Sequence, residues 1–143
     1  MEDLNESNKI FLYKNIKINL KQEFYLKHNH SDSRKLLTKF RISEHTLLIE
    51  KGRHLKIPRD QRYCKFCNEI EDEKHFFLKC PKYNFYRNKY FDSMKINSEW
   101  KDTAKDDMLK LKIILNPTSH SQIKNTVSFI RQSLELRTGD PKQ

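Results

Sequence analysis

The apolar positions of this chain recur mostly at intervals of three and four residues, the spacing of one face of an α-helix. Ile123, Val127, Ile130 and Leu134 give the cleanest stripe, and Met108, Leu111 and Leu115 form another that stops at Asn116-Pro117. Tyr83, Tyr86 and Tyr90 keep the same period, with Pro81 in the first turn, where its missing N–H costs nothing. Leu36, Leu37 and Phe40 mark a shorter helix for which Asp32 is the expected N-cap. Ser43 is expected to cap a further turn through Leu47, Leu48 and Ile49, which Gly52 would close as Gly139 would close the last helix. Residues 10–26 fit two periods. Ile16, Ile18 and Leu20 alternate as in a strand, whereas Leu12, Ile16, Leu20 and Phe24 recur every four residues, and the length of the segment favours helix. These stripes read as packing faces.

Composition changes that picture in one respect. The 143 residues suit one ordinary domain, but only 36% are hydrophobic against 34% charged, so the core is lean. The 11% aromatic content partly compensates, because each large ring buries much apolar area. A small domain of this kind is expected to need a staple. No stretch is apolar enough to span a membrane, and the polar, acidic opening MEDLNESNK lacks the apolar core of an export signal. Three cysteines, an odd number, argue against a disulfide framework and for a reduced intracellular setting.

The staple is visible in the motif Cys64-x2-Cys67-x7-His75-x4-Cys80, which uses all three cysteines of the chain. Zinc takes four thiolate or imidazole ligands at tetrahedral corners, and a C-x2-C turn places two thiolates on one side of the ion. The seven-residue gap leaves room for a short β-hairpin at the CxxC turn. A helix end capped by Asp72 and stopped by Pro81 can present His75 and Cys80. Four protein ligands leave no open position for water, so the expected cofactor is one structural Zn²⁺. A thioredoxin-like redox pair is disfavoured, because Gln61-Arg62-Tyr63 is not the apolar strand that should precede it.

Charge suggests the partner. The chain carries a net charge of +10, and residues 31–65 hold 10 Lys/Arg against 4 Asp/Glu, just ahead of the cysteines. A basic block of this kind is either a solvated surface or a footprint for phosphate. On the second reading the nucleic-acid-binding residues are Arg34, Lys35, Lys39, Arg41, Arg53, Lys56, Arg59, Arg62 and Lys65. Phe66 either stacks on an unpaired base or packs under the metal. His28-Asn29-His30, the Asp106-Asp107 pair and His54 form no catalytic arrangement, and neither a P-loop nor a nucleophile elbow occurs.

From Arg34 to Arg87 the chain resembles the C-terminal zinc-binding region of LINE-type (non-LTR) retrotransposon reverse transcriptases. The matching residues are KFRISEH at 39–45, IEKGR at 49–53, IPRDQRYC at 57–64 and EDEKHFFLKCP at 71–81, with Tyr83 and Arg87 beyond. The resemblance implies a non-catalytic accessory domain that holds template RNA or target DNA, with Cys64, Cys67, His75 and Cys80 as zinc ligands. It also implies a nuclear location and other reverse-transcriptase domains as partners, with no membrane and no small-molecule substrate. The Tyr-x-Asp-Asp sequence of the parent polymerases is absent. The expectation is therefore a mostly α domain organised around one Cys3His zinc finger. Its parts are an N-terminal helical arm at 1–30, a basic helical segment at 31–63, the finger at 64–80 and C-terminal helices at 81–143. The alternatives are a zinc-stabilised protein-interaction module, or a relic fragment of a retroelement without activity of its own.

Overall fold

The computed structural model describes residues 9–17, 19–95, 100 and 106–139. Within them the chain forms six α-helices: α1 (Phe11–Ile16), α2 (Ser31–Arg41), α3 (Leu48–His54), α4 (Asn84–Lys95), α5 (Asp107–Leu115) and α6 (His120–Thr138). No strand occurs among the described residues. The hairpin expected at the CxxC turn is reduced to one antiparallel bridge, Tyr63 with Ile70. The mostly helical architecture agrees with the periodicity of the sequence.

The long helix α6 is the backbone of the packing. It lies against α2, α4 and α5, while α1 packs on α2 and α5. Ser119 caps α6 by accepting the Gln122 N–H, and Gly139 ends it with φ 76°. Ile123, Val127 and Ile130 are buried as expected, together with Phe129. The Phe129 ring centroid lies 4.7 Å from that of Phe91, 5.5 Å from that of Phe76 and 5.6 Å from that of Phe77. Phe40 of α2 stacks on Phe76 from the other side. A lean hydrophobic content thus closes around an aromatic cluster, where each ring removes a large area from water.

Several local expectations are corrected. The segment 10–26 is not one helix. Helix α1 stops at Ile16, whose carbonyl accepts from Asn116 Nδ2 at 2.7 Å, and Asn19 then makes a turn by accepting the Lys21 N–H at 2.9 Å. Leu20 is consequently fully exposed, and Phe24 sits in a short 3₁₀ turn, Phe24–Lys27. Ile18, with the alternation it belongs to, lies outside the described residues, as do residues 1–8 of the N-terminal arm. Asp32 falls in the first turn of α2 rather than at the cap, where its charge still suits the helix dipole.

Helix α3 is neither started by Ser43 nor ended by Gly52. Ser43 sits in left-handed backbone (φ 56°) and its hydroxyl donates to Glu73. The cap comes from a distant residue: Glu71 Oε2 accepts the Leu48 N–H at 2.7 Å. Gly52 lies inside the helix, and a Cβ there would meet Arg62 Cγ and Cδ at 2.8 Å. Glycine is required because the Arg62 stem crosses the helix, held by guanidinium hydrogen bonds to the carbonyls of Ile57 and Ile49. The left-handed residue that ends α3 is Lys56 (φ 58°), with Ile57 N–H bonded to Gly52 O and Lys56 N–H to Arg53 O. That pairing is a Schellman motif built without glycine.

Two substitutions therefore act in opposite directions. Gly52→Ala is expected to cost about 1–3 kcal/mol by overpacking against Arg62, despite the better helix propensity of alanine. Lys56→Gly is expected to add about 1 kcal/mol by relieving the left-handed strain. Chemical denaturation at constant zinc reads both.

Candidate metal centre

The four motif residues converge. The ligand atoms of Cys64, Cys67, His75 and Cys80 all lie within 4.8 Å of one another. Cys64 Sγ and Cys80 Sγ are 3.9 Å apart, Cys67 Sγ and Cys80 Sγ 4.0 Å, and Cys67 Sγ lies 3.2 Å from His75 Nε2. Tetrahedral bonds of about 2.3 Å to sulfur imply S···S separations of about 3.8 Å, so the spacing fits a zinc ion. His75 presents Nε2 to the thiolates, while its buried Nδ1 makes no hydrogen bond, the Glu69 carboxylate lying 3.5 Å away.

Local structure delivers each ligand. After the Tyr63–Ile70 bridge the chain doubles back, with Cys64 N–H on Glu69 O at 2.7 Å and Phe66 N–H directed at Cys64 Sγ at 3.5 Å. Asp72 caps the next turn, accepting the His75 N–H at 2.8 Å as the sequence suggested. His75–Lys79 then forms a π-helical turn in which Cys80 N–H bonds to His75 O at 2.8 Å. The reason lies in the spacing. Five residues of α-helix rotate a side chain by about 500°, leaving His75 and Cys80 roughly 140° apart, whereas an i to i+5 turn aligns them.

Burial alone makes this cluster a poor home for thiolates. It pushes the Cys80 thiol up to about 12, and the nearby Cys64 and Cys67 add to the rise. The Cys67 thiol is raised for the same first reason. A divalent cation reverses the balance, because a coordinated thiol loses its proton.

Residues outside the motif hold the centre in place. Arg87, buried on α4, donates Nε to Phe77 O at 2.8 Å and Nη2 to Cys80 O at 3.0 Å. It thereby gives a donor to Phe77 O and a second donor to Cys80 O, which also accepts the Tyr83 N–H at 3.2 Å. Glu71 accepts from Leu48 N–H and receives a two-point pair from Arg137 of α6, at 2.6 and 2.8 Å. His45 stacks on Phe40 and shares Glu73 with Ser43. Sequence reasoning missed Glu71, His45 and Arg137, since a buried ion pair spanning 66 positions leaves no local pattern.

The basic residues divide into different fates. Arg41 is corrected: it is 1% exposed, pairs with Glu23 at 2.8 Å and donates to Leu115 O and Asn116, so its charge serves the interior. Arg62 is likewise occupied by two carbonyls. Arg34 donates to His28 O. Lys35 and Lys39 are exposed on α2 beside Arg131 of α6, and Lys56 and Lys65 are exposed. Arg53, Arg59 and Arg62 meet at one cleft near α3. Phe66 is 36% exposed, edge-on to Tyr83, with Lys65 Nζ and Lys82 Nζ each 5.0 Å from its ring centroid. Lys82 was not among the expected residues. Of the positions that carry the reverse-transcriptase resemblance, Arg41, Ser43, His45, Glu50, Gly52 and Arg87 are buried, so those positions serve the interior of the fold.

No protein-family model matches the chain, and no curated protein or solved structure matches it either.

Three outcomes follow from the centre and its surroundings. Zinc uptake near neutral pH is expected to release about three protons, one per cysteine thiol, so affinity falls as pH falls; calorimetry in buffers of different ionisation enthalpy counts them. Cys80→Ser is expected to lose both the metal, measured by mass spectrometry, and the fold. Arg137→Met, which strands the Glu71 carboxylate, is expected to cost about 3–5 kcal/mol in denaturant titrations.

Proposed function

We propose that this chain is a non-catalytic, zinc-organised domain that binds nucleic acid. It would hold template RNA or target DNA as the C-terminal region of LINE-type reverse transcriptases does, beside other domains of such an enzyme in the nucleus. The observation that carries the reading is Phe66. An apolar ring exposed on the turn between two metal ligands, with Lys65 and Lys82 against it, combines a stacking surface with phosphate-seeking charge.

The zinc ion in this reading supplies folding free energy and no chemistry. The finger holds Phe66 rigid, through its backbone bond to Cys64 Sγ and its edge contact with Tyr83. A base stacked on such a ring gains about 1–3 kcal/mol. Lys35, Lys39, Lys56 and Lys65 replace counterions along the strand, and Arg41 and Arg62 drop out of that role because the fold has engaged them.

Phe85 favours a second reading. It is 69% exposed on α4, with its neighbour Tyr86 edge-on to it, as a residue of a protein-binding surface would be. Salt separates the two. With phosphate contacts, log affinity for a single strand falls linearly with log salt at roughly 0.7 per contact. Reversing Lys35, Lys39, Lys56 and Lys65 to Glu is expected to remove roughly 3 from that slope while zinc content stays unchanged. Salt-insensitive binding sinks the nucleic-acid reading and leaves the protein-binding one.

A further inference from the structure

A small cleft of about 130 Å³ opens beside α3, walled by Phe11, Ile49, Met108 and Leu111 and bordered by Glu50 and Arg53. Its apolar walls are contributed by α1, α3 and α5, so the space belongs to the packing of the fold. Its polar atoms are incompletely paired. The Glu50 side chain is only 6% exposed; its Oε1 accepts from Arg53 Nη2 at 3.2 Å, and its Oε2 has no hydrogen-bond partner. Arg53 Nε is also buried without a partner. A buried carboxylate oxygen left unpaired costs free energy, as does a buried guanidinium N–H. Asp72 and Glu73 also line the cleft but are engaged by the His75 N–H and by Ser43 and His45, so Glu50 Oε2 and Arg53 Nε stand as an acceptor and a donor without partners, with Arg59, Arg62 and Lys74 at the border.

The shape and polarity select a ligand. An enclosed cavity of about 150 Å³ accommodates a benzene ring, so this smaller cleft, open to solvent, admits one edge of a single six-membered ring and excludes a fused pair. Cytosine is a flat ring whose pairing edge presents an amino donor, N4, followed by the acceptors N3 and O2. A carboxylate accepts from cytosine N4, whereas the corresponding position of uracil or thymine is the acceptor O4. Against Glu50 Oε2, uracil would set two acceptors face to face and leave both unsatisfied.

We infer that this cleft is a binding site for one unpaired cytosine of a nucleic-acid strand, with Glu50 Oε2 accepting from N4 and the Arg53 guanidinium donating to the acceptors beside it. The inference rests on the nucleic-acid reading above and adds base selectivity to it. Arg59, whose guanidinium lies near the cleft, favours the phosphate that accompanies the base.

The test uses the full zinc-loaded chain, titrated with oligocytidylate and oligouridylate RNA strands of equal length and followed by fluorescence anisotropy. The expected result is cytidylate binding about tenfold or more tighter. Glu50→Gln is expected to bring the two affinities within about twofold while zinc content and helix signal stay the same. Equal affinities in the wild-type chain overturn the cytosine site and leave general strand binding intact. Preference that survives Glu50→Gln also overturns it. Failure of both strands to bind overturns this inference together with the reading beneath it. If Glu50→Gln does not fold, the Arg53 Nε–H resonance of the wild-type chain decides. Movement with cytidine monophosphate and not with uridine monophosphate supports the site, and any other response overturns it.

Discussion

The carboxylate of Glu71 lies in the interior with both oxygens engaged, one on each arm of the Arg137 fork and one also on the first turn of α3. Its main chain is engaged on both sides too, with Glu71 N–H on Arg62 O and Ile49 N–H on Glu71 O. One residue thus joins the last helix, the basic segment and the entrance to the finger. Burying a carboxylate is tolerable only when every oxygen finds a donor and a countercharge lies near. That requirement fixes the relative placement of three segments far apart in sequence, and the aromatic cluster around Phe129 closes over the result.

Arginine has an unusual role in this fold. Arg41, Arg62 and Arg87 each turn their guanidinium toward main-chain carbonyls, those of Leu115, Ile57, Ile49, Phe77 and Cys80. Short helices, turns and loops leave many carbonyls without intrahelical partners, and the five donors of a guanidinium satisfy several at once. A composition rich in Lys and Arg is therefore partly an answer to irregular backbone. Lysines that the interior does not use, Lys35, Lys39, Lys56, Lys65 and Lys82 among them, present their charge outward.

The candidate metal cluster was legible in the sequence because its four residues lie within seventeen consecutive positions and belong to chemically distinctive types. The stripes of α5 and α6 were legible for a related reason, since their period is local. The missed features are those where distant residues override local preference. Gly52 reads as a helix terminator until the Arg62 stem is seen crossing it. Lys56, an ordinary residue, takes the left-handed position instead. Arg41 reads as a phosphate ligand because sequence gives its charge and not the Glu23 that neutralises it across eighteen positions. Leu20 matched a helical period in a segment that an Asn19 turn interrupts.

The π-helical turn between His75 and Cys80 is, geometrically, an α-helical turn carrying one additional residue. Phe76 and Phe77 are fully buried within it, while Cys80 at its end joins Cys64, Cys67 and His75 in the candidate metal cluster. Two fits are thereby imposed on five residues at once, one to the aromatic core and one to a coordination sphere. Loss of one codon anywhere from Phe76 to Lys79 would restore a regular helix with His75 and the cysteine only about 40° apart, and would still spoil the aromatic fit by shifting the phenylalanines against Phe129. Substitution is another matter, since Lys79 is exposed and its ion pair with Asp107, at 3.0 Å, lies at the surface where such a pair contributes little. Over evolutionary time this segment should drift in composition at its surface while its length stays frozen, because length, and not identity, is what the turn encodes.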